Sequence, residues 1–349
     1  MLRATYIHYP LIFIRPAGTS RGVLEQKPCW FVRLTSEAGT TGIGEVSFIP
    51  GLSVEKEEEM EIRLDHICQL ISRGEMDPMQ PLPSLPGVQF ALETAVHDLE
   101  AGGERILFRS PFTEGKRGIT TNGLIWMGAK PFMISQIREK MHLGFRVLKL
   151  KVGALNFSEE LDVVRWIRSE FREAELEIRL DANGAWKPLE APEKMEHFAR
   201  YSIHSIEQPV ASGQWEEMAG LCRDGAIPVA LDEELIGVSD PGEMKALLHK
   251  INPAYTVLKP GLLGGFSTTS QWIELAETSG TGWWITSALE STIGLNAIAQ
   301  WTGRKGVTMP QGLGTGALYT NNFSSPLQMR GEQLWFRSGS EWDLDAIKP

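Results

Sequence analysis

Five charged residues recur at near-equal intervals through the middle of the chain. They are Lys151, Asp181, Glu207, Asp232 and Lys259, separated by 30, 26, 25 and 27 residues. Each closes a short apolar run, as in Val147-Leu148-Lys149-Leu150-Lys151 and Val229-Ala230-Leu231-Asp232. A strand, a helix and their connections take about 30 residues, fewer when compact. The spacing therefore predicts successive βα units, each with a charge at the C-terminal end of its strand. Charges so placed converge on one spot when the strands close into a barrel. Taken singly, each acid would be a residue that starts a loop. Three on neighbouring strands, about 4.8 Å apart, can share one cation. An all-oxygen donor set favours Mg²⁺, or Mn²⁺, over zinc. Asp181, Glu207 and Asp232 are the predicted metal ligands.

The lysines stand on either side of the acids in strand order, so they face each other across the barrel mouth. At its reference pKa of about 10.4 a lysine is a poor base. Lys149 lies two residues before Lys151, on the same face of the strand, and its charge would draw the Lys151 pKa down. A cation beside a carboxylate and a lysine base suit removal of a proton α to that carboxylate. Two outcomes then remain open: return of a proton from the opposite face, or loss of a β leaving group.

The elements that must carry these residues follow from pattern. Residues 4–15, 29–35 and 41–46 read as an antiparallel three-stranded meander, with a polar loop at 15–27 that holds Pro16, Gly18 and Gly22. Apolar spacing predicts helices over 55–72 and 88–99. Residues 1–112 thus form a small α+β unit. From residue 113 to 321, strand and helix alternate. Eight strands and seven to eight helices are expected, the first strand at 119–127 and the eighth at 308–314. Ser158 is the expected N-cap of one helix, and Asp240, before Pro241, that of another. The segment 322–349 is expected to return to the N-terminal unit. The fold class is α/β, a modified TIM barrel with an N-terminal α+β cap.

Composition excludes several classes. A net charge of −10 disfavours nucleic acid or an anionic membrane as partner. No run is long and apolar enough for a membrane span, and the N-terminus is unlike a signal peptide. Three scattered cysteines fit neither a disulfide framework nor a metal motif. The expectation is a cytoplasmic protein acting on a small carboxylate, with monomer and homo-oligomer both open.

Lys149-x-Lys151, Asp181-x-Asn183, Glu207, Asp232 and Lys259, in this order, resemble the muconate-lactonizing-enzyme subgroup of the enolase superfamily. Within it, Arg179-Leu-Asp-Ala-Asn-Gly-Ala-Trp186, Ser287-Ala-Leu-Glu-Ser291 and Gly312-Leu-Gly-Thr-Gly316 are similar to the o-succinylbenzoate synthase family. The resemblance implies Mg²⁺ on Asp181, Glu207 and Asp232. It implies Lys151 as the base that later protonates a departing hydroxyl, and Lys259 as a lasting positive charge. Lys149, Arg179 and Asn183 would support them. The 15–27 loop would close over substrate, bringing Ser20, and substrate would also meet Ser287, Glu290, Gly312 and Gly314. The implied reaction is dehydration of 2-succinyl-6-hydroxy-2,4-cyclohexadiene-1-carboxylate to o-succinylbenzoate, for menaquinone synthesis. N-acylamino acid racemases, dipeptide epimerases and muconate cycloisomerases share the machinery. Dipeptide epimerases of this subgroup usually carry an Asp-x-Asp after strand eight, and residues 312–319 hold no acid. A barrel kept only as a scaffold would be expected to have lost one of the five charges.

Overall fold

The computed structural model describes residues 2–19 and 22–347. The chain opens with five strands: β1 (Arg3–His8), β2 (Leu11–Thr19), β3 (Gly22–Lys27), β4 (Trp30–Thr35) and β5 (Thr41–Val46). β1, β4 and β5 pair antiparallel in that order, but the first strand, expected over 4–15, ends at His8, and residues 11–15 join a different sheet. The stretch expected as a loop is instead a hairpin of β2 and β3, a sheet of its own. Its outer edge is pinned late in the chain, by Ile14 N–H to Leu318 O and Thr320 N–H to Ile12 O.

Two helices, α1 (Glu57–Arg73) and α2 (Pro86–Glu100), cover the three-stranded sheet. The α2 contact requires glycine. A Cβ on Gly42 or Gly44 would collide with the backbone carbonyls of Ala95 and Ala91. Helix and sheet thus meet backbone to backbone. The start of α2 meets a buried acid from just before α1: Glu55 Oε1 accepts from Gly87 N–H at 2.5 Å. Burial pushes the Glu55 carboxyl up to about 7, against hydrogen bonds that favour its charged form. The folded chain therefore holds a proton here that the unfolded chain releases. The resulting stability is full below about pH 4.5 and lost as pH rises through 7, about 3 kcal/mol in all. Urea melts at pH 5 and pH 8 should show wild type losing more than Glu55→Gln by about this amount. An equal loss in both would refute it.

The barrel strands follow: β6 (Ile119–Thr120) and β7 (Gly123–Ile125), then β8 (Val147–Lys151), β9 (Glu177–Asp181), β10 (Ile203–Glu207), β11 (Val229–Leu231), β12 (Tyr255–Leu258) and β13 (Gly282–Ile285). β7 to β13 make one parallel sheet of seven strands. Between them run α3 (Lys130–His142), α4 (Phe157–Glu170), α5 (Ala191–Ala199), α6 (Trp215–Asp224), α7 (Pro241–Ile251), the single-turn α8 (Pro260–Leu263) and α9 (Gly265–Thr278), with α10 (Thr292–Arg304) after β13. The cap of α7 is Asp240, which accepts from Gly242 and Glu243 N–H. That of α4 is Asn156, not Ser158, whose N–H it accepts.

Two barrel-strand expectations need correction. The predicted first strand is broken: Ile119–Thr120 pairs elsewhere, and only β7 joins β8. The predicted eighth strand reduces to Gln311 and Gly312, which bridge Thr121 on one side and Thr286 on the other. Gln311 also accepts the Ile285 N–H through its side chain. The barrel is closed by two residues and their hydrogen bonds because the glycine-rich stretch that follows cannot extend the ladder.

The C-terminal segment divides. β14 (Leu327–Arg330) and β15 (Gln333–Phe336) form a hairpin that pairs with β6. Farther on, Ile347 is buried with Leu11, Phe31 and Phe323, and its carbonyl accepts from Arg33. Among the described residues, no helix is long and apolar enough to cross a membrane.

Candidate active site

The strand ends deliver their charges to one place. Asp181 and Glu207 are the last residues of β9 and β10, and their Cα atoms are register partners. Asp232 follows β11 directly. All three are buried, and one oxygen from each lies within 4.8 Å of the others. Lys149 Nζ stands 2.8 Å from Asp181 Oδ2 and 2.5 Å from Glu207 Oε2. Lys151 Nζ lies 2.7 Å from both Asp181 Oδ2 and Asn183 Oδ1. Across the mouth, Lys259 Nζ is 2.6 Å from Asp232 Oδ2. Lys259 caps α8, so its backbone is fixed between a strand and a helical turn.

Burial alone would push the Asp181 carboxyl up, but Lys149 and Lys151 override it and hold the group below the usual carboxylate range. Burial of Glu207 prevails over its pairing with Lys149, with Asp181 and Asp232 adding repulsion, and carries it up to about 7. Desolvation disfavours the Lys149 charge, and the facing carboxylates more than reverse this, so its ammonium is held well above the usual lysine range. Its ammonium is paired with two of the three acids.

Would a divalent cation fit? The donors are all carboxylate oxygens, the chemistry of a hard ion. Glu207 Oε1 and Asp232 Oδ1 are buried without a hydrogen-bond partner. Buried acceptors left so are costly, and a shared cation would satisfy both. The residues fit the ion.

Above the triad is a cavity of about 380 Å³. Its floor holds Lys149, Lys151, Lys259 and Asn183, and its walls come from both parts of the chain. Gly22, Val23 and Leu24 of the hairpin form one side, and Ile49–Leu52 another. Leu124 lies on β7 and Trp126 just after it; Ser287 and Leu289 follow β13; Gly312 is a closing residue, and Gly314 and Thr315 follow it. Among the described residues that line it, three side chains are cationic and none is a carboxylate.

Of the residues anticipated for substrate, Ser287, Gly312 and Gly314 line this cavity, Ser287 Oγ sharing a 2.6 Å hydrogen bond with Thr315 Oγ1. Ser20 lies outside the described residues. Glu290 is fully buried and does not line the cavity. Arg179 also stays away from the mouth: its guanidinium sits 4.5 Å from the Trp284 ring centroid inside the barrel and donates to Pro310 O. Asn183 is in the left-handed region, φ 46°, and joins Lys151 to Glu233. Sequence reasoning missed the apolar walls, Leu24, Leu52, Leu124 and Trp126, because nothing in their type separates a pocket wall from a core.

A family profile described as "Enolase C-terminal domain-like" matches residues 133–320, which sets the class of the barrel and its site. An o-succinylbenzoate synthase of Desulfotalea psychrophila is 46% identical, with 95% of this chain and 98% of that protein covered. The crystal structure of MenC from Desulfotalea psychrophila LSv54 superposes with a TM-score of 0.86 at 43% identity, over 96% of this chain and 99% of that one. The L-Ala-D/L-Glu epimerase of Bacillus subtilis shares the fold, with TM-score 0.82, 19% identity and coverage of 96% and 95%. The chain belongs to the o-succinylbenzoate synthase family.

Proposed function

We propose that this chain is a Mg²⁺-dependent o-succinylbenzoate synthase. It would dehydrate 2-succinyl-6-hydroxy-2,4-cyclohexadiene-1-carboxylate to 2-succinylbenzoate and water, for menaquinone synthesis. The observation that carries this reading is a lysine on each side of a buried carboxylate triad, under a cavity whose described lining holds cations and no acid. The bound ion, held by Asp181, Glu207 and Asp232, would supply positive charge to the substrate carboxylate as its α-carbon becomes anionic.

Lys151 takes the α-proton in its neutral form. Lys259 keeps its proton and faces the developing charge. The Lys151 ammonium then returns the proton to the departing hydroxyl on the same face, which leaves as water. The α C–H electron pair becomes the new ring double bond, and aromatisation drives the step forward. The cationic floor suits a dianionic substrate, and the walls from Leu24, Leu124 and Trp126 suit its ring. Two free buried cysteines, Cys29 and Cys68, fit a reducing cytoplasm.

Because both lysines reach one cavity, N-acylamino acid racemisation is the second reading. A dipeptide's ammonium finds no carboxylate among the described lining residues. The test follows the aromatic product by ultraviolet absorbance and, in parallel, α-deuteration of N-acylamino acids in heavy water. Faster exchange of both enantiomers than dehydration would reverse the order of the two readings.

A further inference from the structure

Glu290 was expected at the substrate and is instead the centre of a buried junction behind the cavity wall. Its Oε2 accepts from Ala288 N–H at 2.6 Å, within its own loop, and its Oε1 accepts from Ser47 Oγ at 2.7 Å, just past β5. A second acid lies beside it. Glu45, on β5, accepts from Ser291 N–H at 3.0 Å and from Gly294 N–H at 3.1 Å, the first turn of α10. Beside Glu45 is Lys27, the last residue of the β3 strand, with no exposed side-chain surface. Its Nζ is 3.4 Å from Glu45 Oε1, and its charge also acts on Glu290.

The junction touches three parts of the site. The Lys27 strand begins with Gly22, Val23 and Leu24, which line the cavity. Glu290 holds the loop whose Ser287, Ala288 and Leu289 line it too. Leu289 sits at φ 59°, a conformation that a branched side chain adopts only when its surroundings enforce it. The enforcing contacts are the Ala288–Glu290 bond and the Tyr319 hydroxyl on Leu289 O at 2.6 Å. The third part is the turn after Lys259: a Cβ on Gly261 would collide with Ser47 and Glu290.

We propose that Lys27, Glu45 and Glu290 are positioning residues, a buried ionic junction that fixes the β13 loop and the Lys259 turn against the hairpin and thereby sets the substrate-binding wall. A salt bridge without this role would serve stability alone, and buried pairs are poor stabilisers compared with apolar packing. The strained Leu289 and the bond from Glu290 into the lining loop point to placement.

The test uses the full chain with Mg²⁺, and its kinetic part rests on the dehydration reading. Glu290→Gln keeps one oxygen acceptor and loses the other with the charge. It should raise KM about tenfold, as loss of one charged hydrogen bond would, with kcat within about threefold of wild type. Amide hydrogen exchange at residues 287–289 should quicken, a readout that needs no substrate. Lys27→Met should do the same, and Lys27→Arg should restore KM and protection. Ser47→Ala deletes one hydrogen bond and no charge, and should show the pattern at smaller amplitude even if the charge variants fold poorly. Unchanged KM and exchange, or a lower Tm with KM and exchange unchanged, would overturn the proposal. Wild type inactive on the diene would count against the dehydration reading, and the exchange arm would still decide the junction.

Discussion

Lys151→Ala lowers kcat for dehydration about a thousandfold, the scale of a lost acid/base group. The informative partner is Lys151→Arg. A guanidinium keeps the positive charge beside Asp181 and Asn183, but it does not give up its proton at any accessible pH. If Lys151 moves the proton, arginine is as inactive as alanine. At Lys259 the two substitutions should part. On the proposed mechanism, Lys259→Ala removes a charge that would face the developing anion, a loss of about 10²- to 10³-fold by analogy with other preorganised donors. Lys259→Arg retains charge next to Asp232 and should recover part of that loss. Rates are read from the ultraviolet absorbance of the product. Substantial turnover by Lys151→Arg would end the assignment of Lys151 as base, and equal collapse of both Lys259 variants would argue that Lys259 also transfers a proton. The contrast matters because both ammoniums sit against carboxylates at similar distances, 2.7 Å and 2.6 Å. Geometry makes them look alike, and chemistry should separate them.

Chelation gives the second large effect. Treatment with EDTA should abolish turnover, and Mg²⁺ should restore it. The same titration should raise thermal stability, by about 2.7 kcal/mol when Mg²⁺ reaches 100 times its Kd. The source is specific: the ion would satisfy Glu207 Oε1 and Asp232 Oδ1, buried acceptors without partners. Asp232→Asn should abolish most of the Mg²⁺-dependent rise in Tm as well as activity. A wild-type Tm indifferent to both Mg²⁺ and EDTA would mean that the triad holds no ion.

The five charges were legible because each ends an apolar run, and parallel strands need such runs. Their convergence followed from spacing alone. Other parts were not legible for physical reasons. The eighth strand is two residues long, below the length at which alternation carries a signal. Asn156 and Ser158 are both good capping residues, and only the backbone decides between them. The hairpin of β2 and β3 is rich in turn formers and poor in buried faces, so it reads as a loop. Glu290 was expected at the substrate because a glutamate after a strand looks the same whether it faces a ligand or a buried partner more than 240 positions earlier, as Ser47 is here. Lys27 was invisible for the same reason: a lone lysine in a polar stretch is ordinarily a solvated one.

The two-residue closure of the barrel bears on how the protein is made. Thr121 receives its bridge from Gln311, and its hydroxyl and amide both bond Glu332 O, 211 positions away. During synthesis β7 can pair with β8 early, but its opposite edge stays open until the chain near Gln311 has left the ribosome. Contacts of such sequence separation form slowly, and an open strand edge invites pairing with other chains. The nascent barrel is therefore most vulnerable while nearly complete. A truncation that ends just before Gln311 would retain every charged residue of the site, yet leave the ring unclosed and prone to aggregate.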